Sequence, residues 1–150
     1  MKFFKSILLV ISFVSIPITA IDKQAHIEGK FFSKLSDYRF FKDLTNQIPT
    51  DEVLPYQLQS ELFSDYTHKQ RFVYVPPAMK VGHEKNKVFM FPVGSVLIKT
   101  FSYQNTMSEL TPQLLETRLL IHSEGGWKAV SYIWNEDQSE AYLSLIGGIV

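Results

Sequence analysis

Residues 114–134 read LLETRLLIHSEGGWKAVSYIW. Two runs rich in branched and aromatic side chains flank the stretch Glu124-Gly125-Gly126. Such runs favour β-strands, and paired glycines can adopt the positive φ that a tight chain reversal needs. This stretch therefore predicts a β-hairpin, and the rest of the chain can be interpreted outward from it.

Similar short runs occur on both sides of the hairpin. They are RFVYVP at 71–76, KVFMF at 87–91, GSVLIKTFSY at 94–103 and SEAYLSLI at 139–146. Turn-forming residues separate the runs, and this pattern is typical of successive strands. The sequence predicts a mainly β domain, built as an antiparallel sheet or a sandwich, with a short helical or loop segment near Ser36 and Asp37.

The first residues resemble an export signal. Lys2 and Lys5 precede an apolar run at 7–18, and Thr19 and Ala20 are small enough for a cleavage site. The alternative is an uncleaved anchor, which would be the chain's sole membrane contact, but the apolar run is short for a bilayer span. We expect a signal peptide over 1–20, a flexible lead over 21–34 and one β-rich domain over 35–150, located in the periplasm or outside the cell.

Composition excludes several classes of function. The 150 residues contain no cysteine, so neither a disulfide framework nor covalent attachment of a c-type haem can occur within this chain. Lysine and arginine together number 15, as do aspartate and glutamate, and no basic cluster suits a phosphate backbone. We expect no nucleic-acid partner.

Three charges interrupt the apolar strands. Lys99 lies in one predicted strand, and Glu116 and Arg118 lie two apart in another, so they point to the same side. One interpretation is an anion-binding patch, since arginine offers a planar fork to a carboxylate or phosphate. The other, which we favour, is a structural charge cluster that is solvated or fixes strand register.

The aromatic residues of the last strands allow two interpretations. Aromatic side chains on a sheet can stack on a sugar or a planar cofactor, but more often they fill a β core. Tyr132 and Trp134 are the candidates for ligand contact, together with the three charges, and Trp127 and Tyr142 belong to the same aromatic set. We favour the core interpretation.

Histidine gives a weak signal for a metal. The four histidines are scattered along the chain and form no spaced ligand motif. His68, close to Asp65 and Tyr66, is the single weak candidate ligand, and we predict no metal site from spacing alone.

Several blocks together resemble a family of exported, mostly uncharacterised bacterial proteins similar to dihaem c-type cytochromes. They are LSDYRFF at 35–41, the block at 53–76, FPVGSVLIKTF at 91–101 and the block at 114–143. The match spans nearly all of the chain after the signal. Members of this family often accompany parallel β-helix proteins, and their haem-binding Cys-x-x-Cys-His segments follow these blocks.

The resemblance implies a function in electron transfer outside the cytoplasm. We expect the haem to belong to a C-terminal part that this chain does not reach, which makes residues 35–150 a truncated version of the family's domain. The leading hypothesis is a non-catalytic module that docks or positions a cytochrome or other redox partner, with no cofactor of its own. The alternatives are a domain that binds a sugar or small anion, and an enzyme or electron-transfer protein with a non-covalent cofactor or metal.

Overall fold

The computed structural model describes residues 20–60, 63, 66–103 and 112–144. Its helical elements are α1 (Lys23–Glu28) and a 3-10 helix (Ser36–Tyr38). Its strands are β1 (Phe41–Asp43), β2 (Ile48–Pro49), β3 (Val53–Pro55), β4 (His68–Tyr74), β5 (Val96–Tyr103), β6 (Gln113–Ser123), β7 (Gly126–Trp134) and β8 (Ala141–Ser144).

The architecture is mainly β and antiparallel, as the sequence predicts. Strands β3 to β8 form one six-stranded sheet in chain order, and β1 pairs with β2 in a small second sheet. All neighbours in the large sheet are antiparallel. Within the described part of the chain, no helix has both the length and the apolar character needed to cross a bilayer. The predicted signal peptide lies outside the described residues, apart from Ala20.

The predicted hairpin is confirmed as the pair β6 and β7. Ser123 pairs with Gly126, so Glu124 and Gly125 form the turn. The positive φ occurs at Gly126, with a value of 95°. A side chain at this position would strain the backbone, which explains why the second glycine is needed.

Alternation gives the sheet an inner and an outer face. The inner face is buried, and its apolar residues include Phe72, Ile98, Leu119, Val130 and Tyr132. The segment from Ile21 to Phe40 covers this face and contributes Leu35, Tyr38 and Phe40 to the same core. The outer face carries the alternate residues of the same strands, which are partly or fully exposed except for the buried Arg71.

A β-bulge changes the face of Leu114. Ser102 pairs with Leu114 and Phe101 pairs with Glu116, so Leu115 is the extra residue. Strict alternation from the sequence predicts Leu115 on the inner side, but Leu114 is the buried one. The Gln138 side chain holds the bulge, because its Oε1 accepts from the Leu114 amide at 2.6 Å and its Nε2 donates to the Leu114 carbonyl at 3.2 Å.

Residues 23–28 differ from the irregular backbone that the sequence predicts for the lead over 21–34. Lys23–Glu28 is helical, with Asp22 Oδ1 accepting from the Ala25 amide at 3.1 Å and Gly29 ending the helix at a φ of 67°. Ala25 and His26 are buried. The irregular assignment is wrong here because a capped helix buries one face against the sheet, and so local polarity is outweighed by tertiary packing.

The remaining differences concern short segments. The run KVFMF at 87–91 is not a strand, although Met90 forms an isolated bridge with Gly82. Its side chains find no sheet face to cover them, and so residues 88–90 stay exposed. The short helical segment expected near Ser36 is confirmed as the 3-10 helix, and residues 33–35 add to the edge of β8 through Leu35 and Leu143 backbone hydrogen bonds.

Candidate functional site

Strand register collects the predicted charges on the outer face. Arg71 of β4 pairs with Lys99 of β5, which pairs with Arg118 of β6. Lys69 of β4 pairs with Phe101 of β5, which pairs with Glu116 of β6. We call these six residues the basic face. Four of them are cations and one is a carboxylate, so the net charge of these six residues is positive.

Glu116 and Arg118 form a two-point ion pair. Arg118 donates to the two carboxylate oxygens of Glu116 from Nε at 2.9 Å and from Nη2 at 2.8 Å. Burial disfavours the charged form of Glu116, but hydrogen bonds from Arg118 and Ser131 and the positive charges of Arg118 and Lys99 outweigh it and lower its pKa. The hydrogen bond with Glu116 in turn raises the pKa of Arg118, so both groups stay charged at neutral pH.

Two cations lie over the aromatic ring of Phe101. The Lys99 Nζ lies 4.4 Å from the centre of the ring, and the Arg118 Cζ lies 4.8 Å from it. A cation over an aromatic ring contributes about 0.5–1 kcal/mol at an exposed site. The ring therefore limits the positions of the two charged groups.

An apolar row borders these charges. It consists of one residue from each of β4 to β7, and these lie side by side: Val73, Leu97, Leu120 and Ala129. On each strand the residue lies two positions from the row that contains Lys99 and Arg118. They are partly exposed, except for Ala129, which is exposed. A surface with apolar side chains next to charged ones is typical of protein interfaces.

A groove opens beside Arg71 at the other border of the basic face. It has a volume of about 500 Å³, and its lining includes Tyr56, Gln57, Lys69, Gln70 and Arg71. The Arg71 side chain is buried, and its Nη1 donates to the Lys69 carbonyl at 3.2 Å. The groove combines cationic, amide and aromatic groups, which suits a small polar anion.

Tyr132 and Trp134 do not join the charges, because they lie on the inner face. The Tyr132 hydroxyl donates to the Phe32 carbonyl at 2.8 Å and contacts the Tyr38 hydroxyl at 2.8 Å. Burial and the neighbouring Tyr38 raise the pKa of Tyr132. Trp134 Nε1 donates to Thr117 Oγ1 at 3.0 Å. The two aromatic residues fill the core, so the five candidate ligand contacts do not form a single site.

The other two aromatic residues of the set are exposed. Trp127 stacks on His122 at 4.5 Å between ring centres, and Lys34 Nζ lies 6.0 Å from the ring centre of Tyr142. His68 is exposed at the start of β4. Across the described ranges, no three histidine or acidic side chains form a group that could hold a metal ion. Asp65, which the sequence places near His68, lies outside those ranges.

Three members of the basic face, Lys69, Arg71 and Phe101, and one internal network were not predicted from the sequence. Lys69 and Arg71 were detectable, because Phe72 and Tyr74 on the inner face require the alternate residues of β4 to point outward. The internal network could not be detected from the sequence. Gln47 reaches from a turn to accept a hydrogen bond from Thr100 Oγ1 at 2.6 Å, and Thr100 Oγ1 lies 2.8 Å from Thr117 Oγ1. Gln47 is far from both threonines in the sequence.

No protein-family model, no curated protein and no solved structure matches this chain. The cytochrome-like resemblance therefore stays a prediction, and the basic face carries the functional argument.

Proposed function

We propose that this chain is an exported, non-catalytic β domain that docks an acidic redox partner, a c-type cytochrome, on the basic face. The observation that carries the proposal is the cluster of Lys69, Lys99 and Arg118, which are partly or fully exposed on three adjacent strands. Opposite charges on two proteins speed their encounter and fix their relative orientation. The haem is held by the partner, since this chain has no cysteine to attach one.

The geometry favours docking because the cations are preorganised. Neighbouring strands lie about 4.8 Å apart, so Lys99 and Arg118 present their charges at a fixed spacing, whereas Arg71 is buried beside them. Glu116 holds Arg118 from one side, and Phe101 lies under both Lys99 and Arg118. Less side-chain freedom is lost on binding when the groups are already held in place. The apolar row beside them supplies area that a partner can cover.

Capture of haem protein tests this proposal. The mature chain is immobilised and exposed to an envelope extract at low salt, and the eluate is assayed for covalently bound haem. We expect a c-type cytochrome to be retained and then released at about 1 M salt, where the screening length falls to about 3 Å. K99A/R118A abolishes retention, whereas K23A/K42A removes two exposed cations outside the six-stranded sheet and leaves it intact. Retention that is absent, or equal in both variants, contradicts the proposal.

A second candidate function is binding of a small sugar acid in the groove beside Arg71. The groove volume and its lining of Tyr56, Lys69 and Arg71 favour it. Titration calorimetry with glucuronate is expected to show saturable binding that Tyr56→Ala abolishes and Tyr142→Ala preserves. No saturable heat up to millimolar glucuronate excludes this candidate and leaves the docking proposal untouched.

A further inference from the structure

The long connection between β4 and β5 exposes an unusual apolar segment. Val88, Phe89 and Met90 are exposed by 86%, 58% and 52%, respectively. They follow each other in sequence and are not covered by any described part of the chain. Large adjacent apolar side chains in water are unfavourable unless a surface covers them, and such patches mark interaction sites.

The segment is held in a defined shape. Gly82 and Met90 exchange two backbone hydrogen bonds of 2.9 Å, which close residues 83–89 into a loop. Glu84 forms a salt bridge with Lys87 within it. We call residues 79–91 the apolar loop. These contacts lie within the chain, so the backbone of the apolar loop holds the exposed side chains in fixed positions at the surface.

A series of ring contacts joins the apolar loop to the hairpin of β6 and β7. Phe89 lies 6.4 Å from Phe91, Phe91 lies 6.1 Å from Trp127, and Trp127 stacks on His122. His122 Nδ1 lies 2.8 Å from the Phe91 carbonyl. The apolar loop is thus supported on the main sheet, and Trp127 lies at its base.

The charges of the apolar loop identify what covers it. Three exposed lysines flank residues 88–90: Lys80, Lys85 and Lys87. The apolar loop has a single carboxylate, Glu84. Apolar side chains next to lysines are the combination that binds anionic lipid: the apolar groups enter the headgroup boundary and the ammonium groups stay among the phosphates. Each lysine near an anionic surface strengthens binding by about fivefold.

We propose that the apolar loop is a peripheral membrane-binding site that inserts Val88, Phe89 and Met90 into an anionic lipid surface. The protein then contacts the membrane through the end of the sheet from which the apolar loop extends. Lys99 and Arg118 of the basic face lie further along the strands from this end, so they stay accessible. The inference uses different residues from the docking proposal and does not depend on it.

Vesicle binding tests the inference. The mature chain is sedimented with vesicles of phosphatidylcholine alone or mixed with phosphatidylglycerol. We expect binding to the anionic vesicles and a roughly tenfold or greater loss in K85A/K87A, because two charges near the surface are removed. Phe89→Ser is expected to lose roughly tenfold, because a large side chain no longer leaves water. The control variants are K34A/K42A and Leu54→Ser, which change cations and an exposed apolar residue elsewhere, and they bind normally.

Tryptophan fluorescence adds an independent readout. Trp127 is 43% exposed at the base of the apolar loop, whereas Trp134 is buried in the core. We expect brominated anionic lipid to quench Trp127 and Trp134→Phe to keep that quenching. Binding that needs the lysines but not Phe89, equal loss in the Leu54→Ser control, or no binding to anionic vesicles overturns the inference.

Discussion

The inner and outer faces of the six-stranded sheet come from the same strands and differ in almost everything else. On β6, Thr117 and Leu119 are buried, whereas Arg118 between them is exposed. The inner polar groups are satisfied within the protein, as Thr117 is by Thr100 and Trp134. The outer charges are held in place but remain at the surface. Alternate residues of one strand thus have separate roles: those on the inner face stabilise the fold, and those on the outer face are the ones we propose for recognition.

The largest expected effect separates neighbouring leucines. Leu119→Ala removes a fully buried side chain and leaves a cavity, so we expect it to lower the free energy of unfolding by about 2–5 kcal/mol. Leu120→Ala acts on the outer face and should cost less than half as much. Urea denaturation of both variants measures the difference. Equal losses would show that the outer face is covered as the inner one is.

The next effect concerns His26, which lies in the core between the rings of Tyr38, Phe40 and Tyr74. Burial lowers its pKa from 6.5 to about 4, although Asp22 acts in the opposite direction. The unfolded chain therefore takes up a proton at a higher pH than the folded protein. The contribution of neutral His26 to the free energy of unfolding is fully present above about pH 6.5. We expect it to fall by roughly 3 kcal/mol as the pH drops to about 4.

Urea denaturation at a series of pH values checks this loss. His26→Leu should flatten the profile between pH 6.5 and 4, whereas His83→Gln, at an exposed position, should leave it unchanged. A wild-type profile that is flat over this interval would show that the His26 ring is not held in the neutral form.

A smaller effect distinguishes two tyrosines on opposite faces. Tyr132→Phe leaves the Tyr38 hydroxyl and the Phe32 carbonyl without their partner, so we expect a loss of about 1–3 kcal/mol. Tyr142→Phe, at an exposed position on β8, should change stability by less than about 0.5 kcal/mol. Thermal unfolding followed by circular dichroism measures both, and an unchanged midpoint for Tyr132→Phe would contradict the buried network.

The sequence predicts the parts of the fold that depend on local periodicity. The alternation in β5 and β6 assigns Ile98 and Thr117 to one face and Lys99 and Arg118 to the other, because side chains of a strand point to opposite sides in turn. The Gly125-Gly126 pair likewise predicts the hairpin. These features need only neighbours in the chain, and so the pairing of Glu116 with Arg118 could be expected, whereas the approach of Lys99 to them needs the register between β5 and β6.

Other features depend on contacts that distant residues make. The bulge at Leu115 is held by Gln138, and the burial of α1 requires a sheet that forms much later in the chain. Whether an aromatic residue meets a ligand or fills the core depends on which face the N-terminal segment covers. Periodicity separates Tyr132 from its neighbours in β7 but does not say which side is inside.

The most direct test of the two-face account measures stability and binding on one variant. K99A/R118A removes two cations from the basic face, and surface charges typically contribute less than about 1 kcal/mol each to stability. We expect the free energy of unfolding to fall by less than about 2 kcal/mol and no cytochrome to be retained. A variant destabilised as strongly as Leu119→Ala, or one that still retains the cytochrome, would contradict the account.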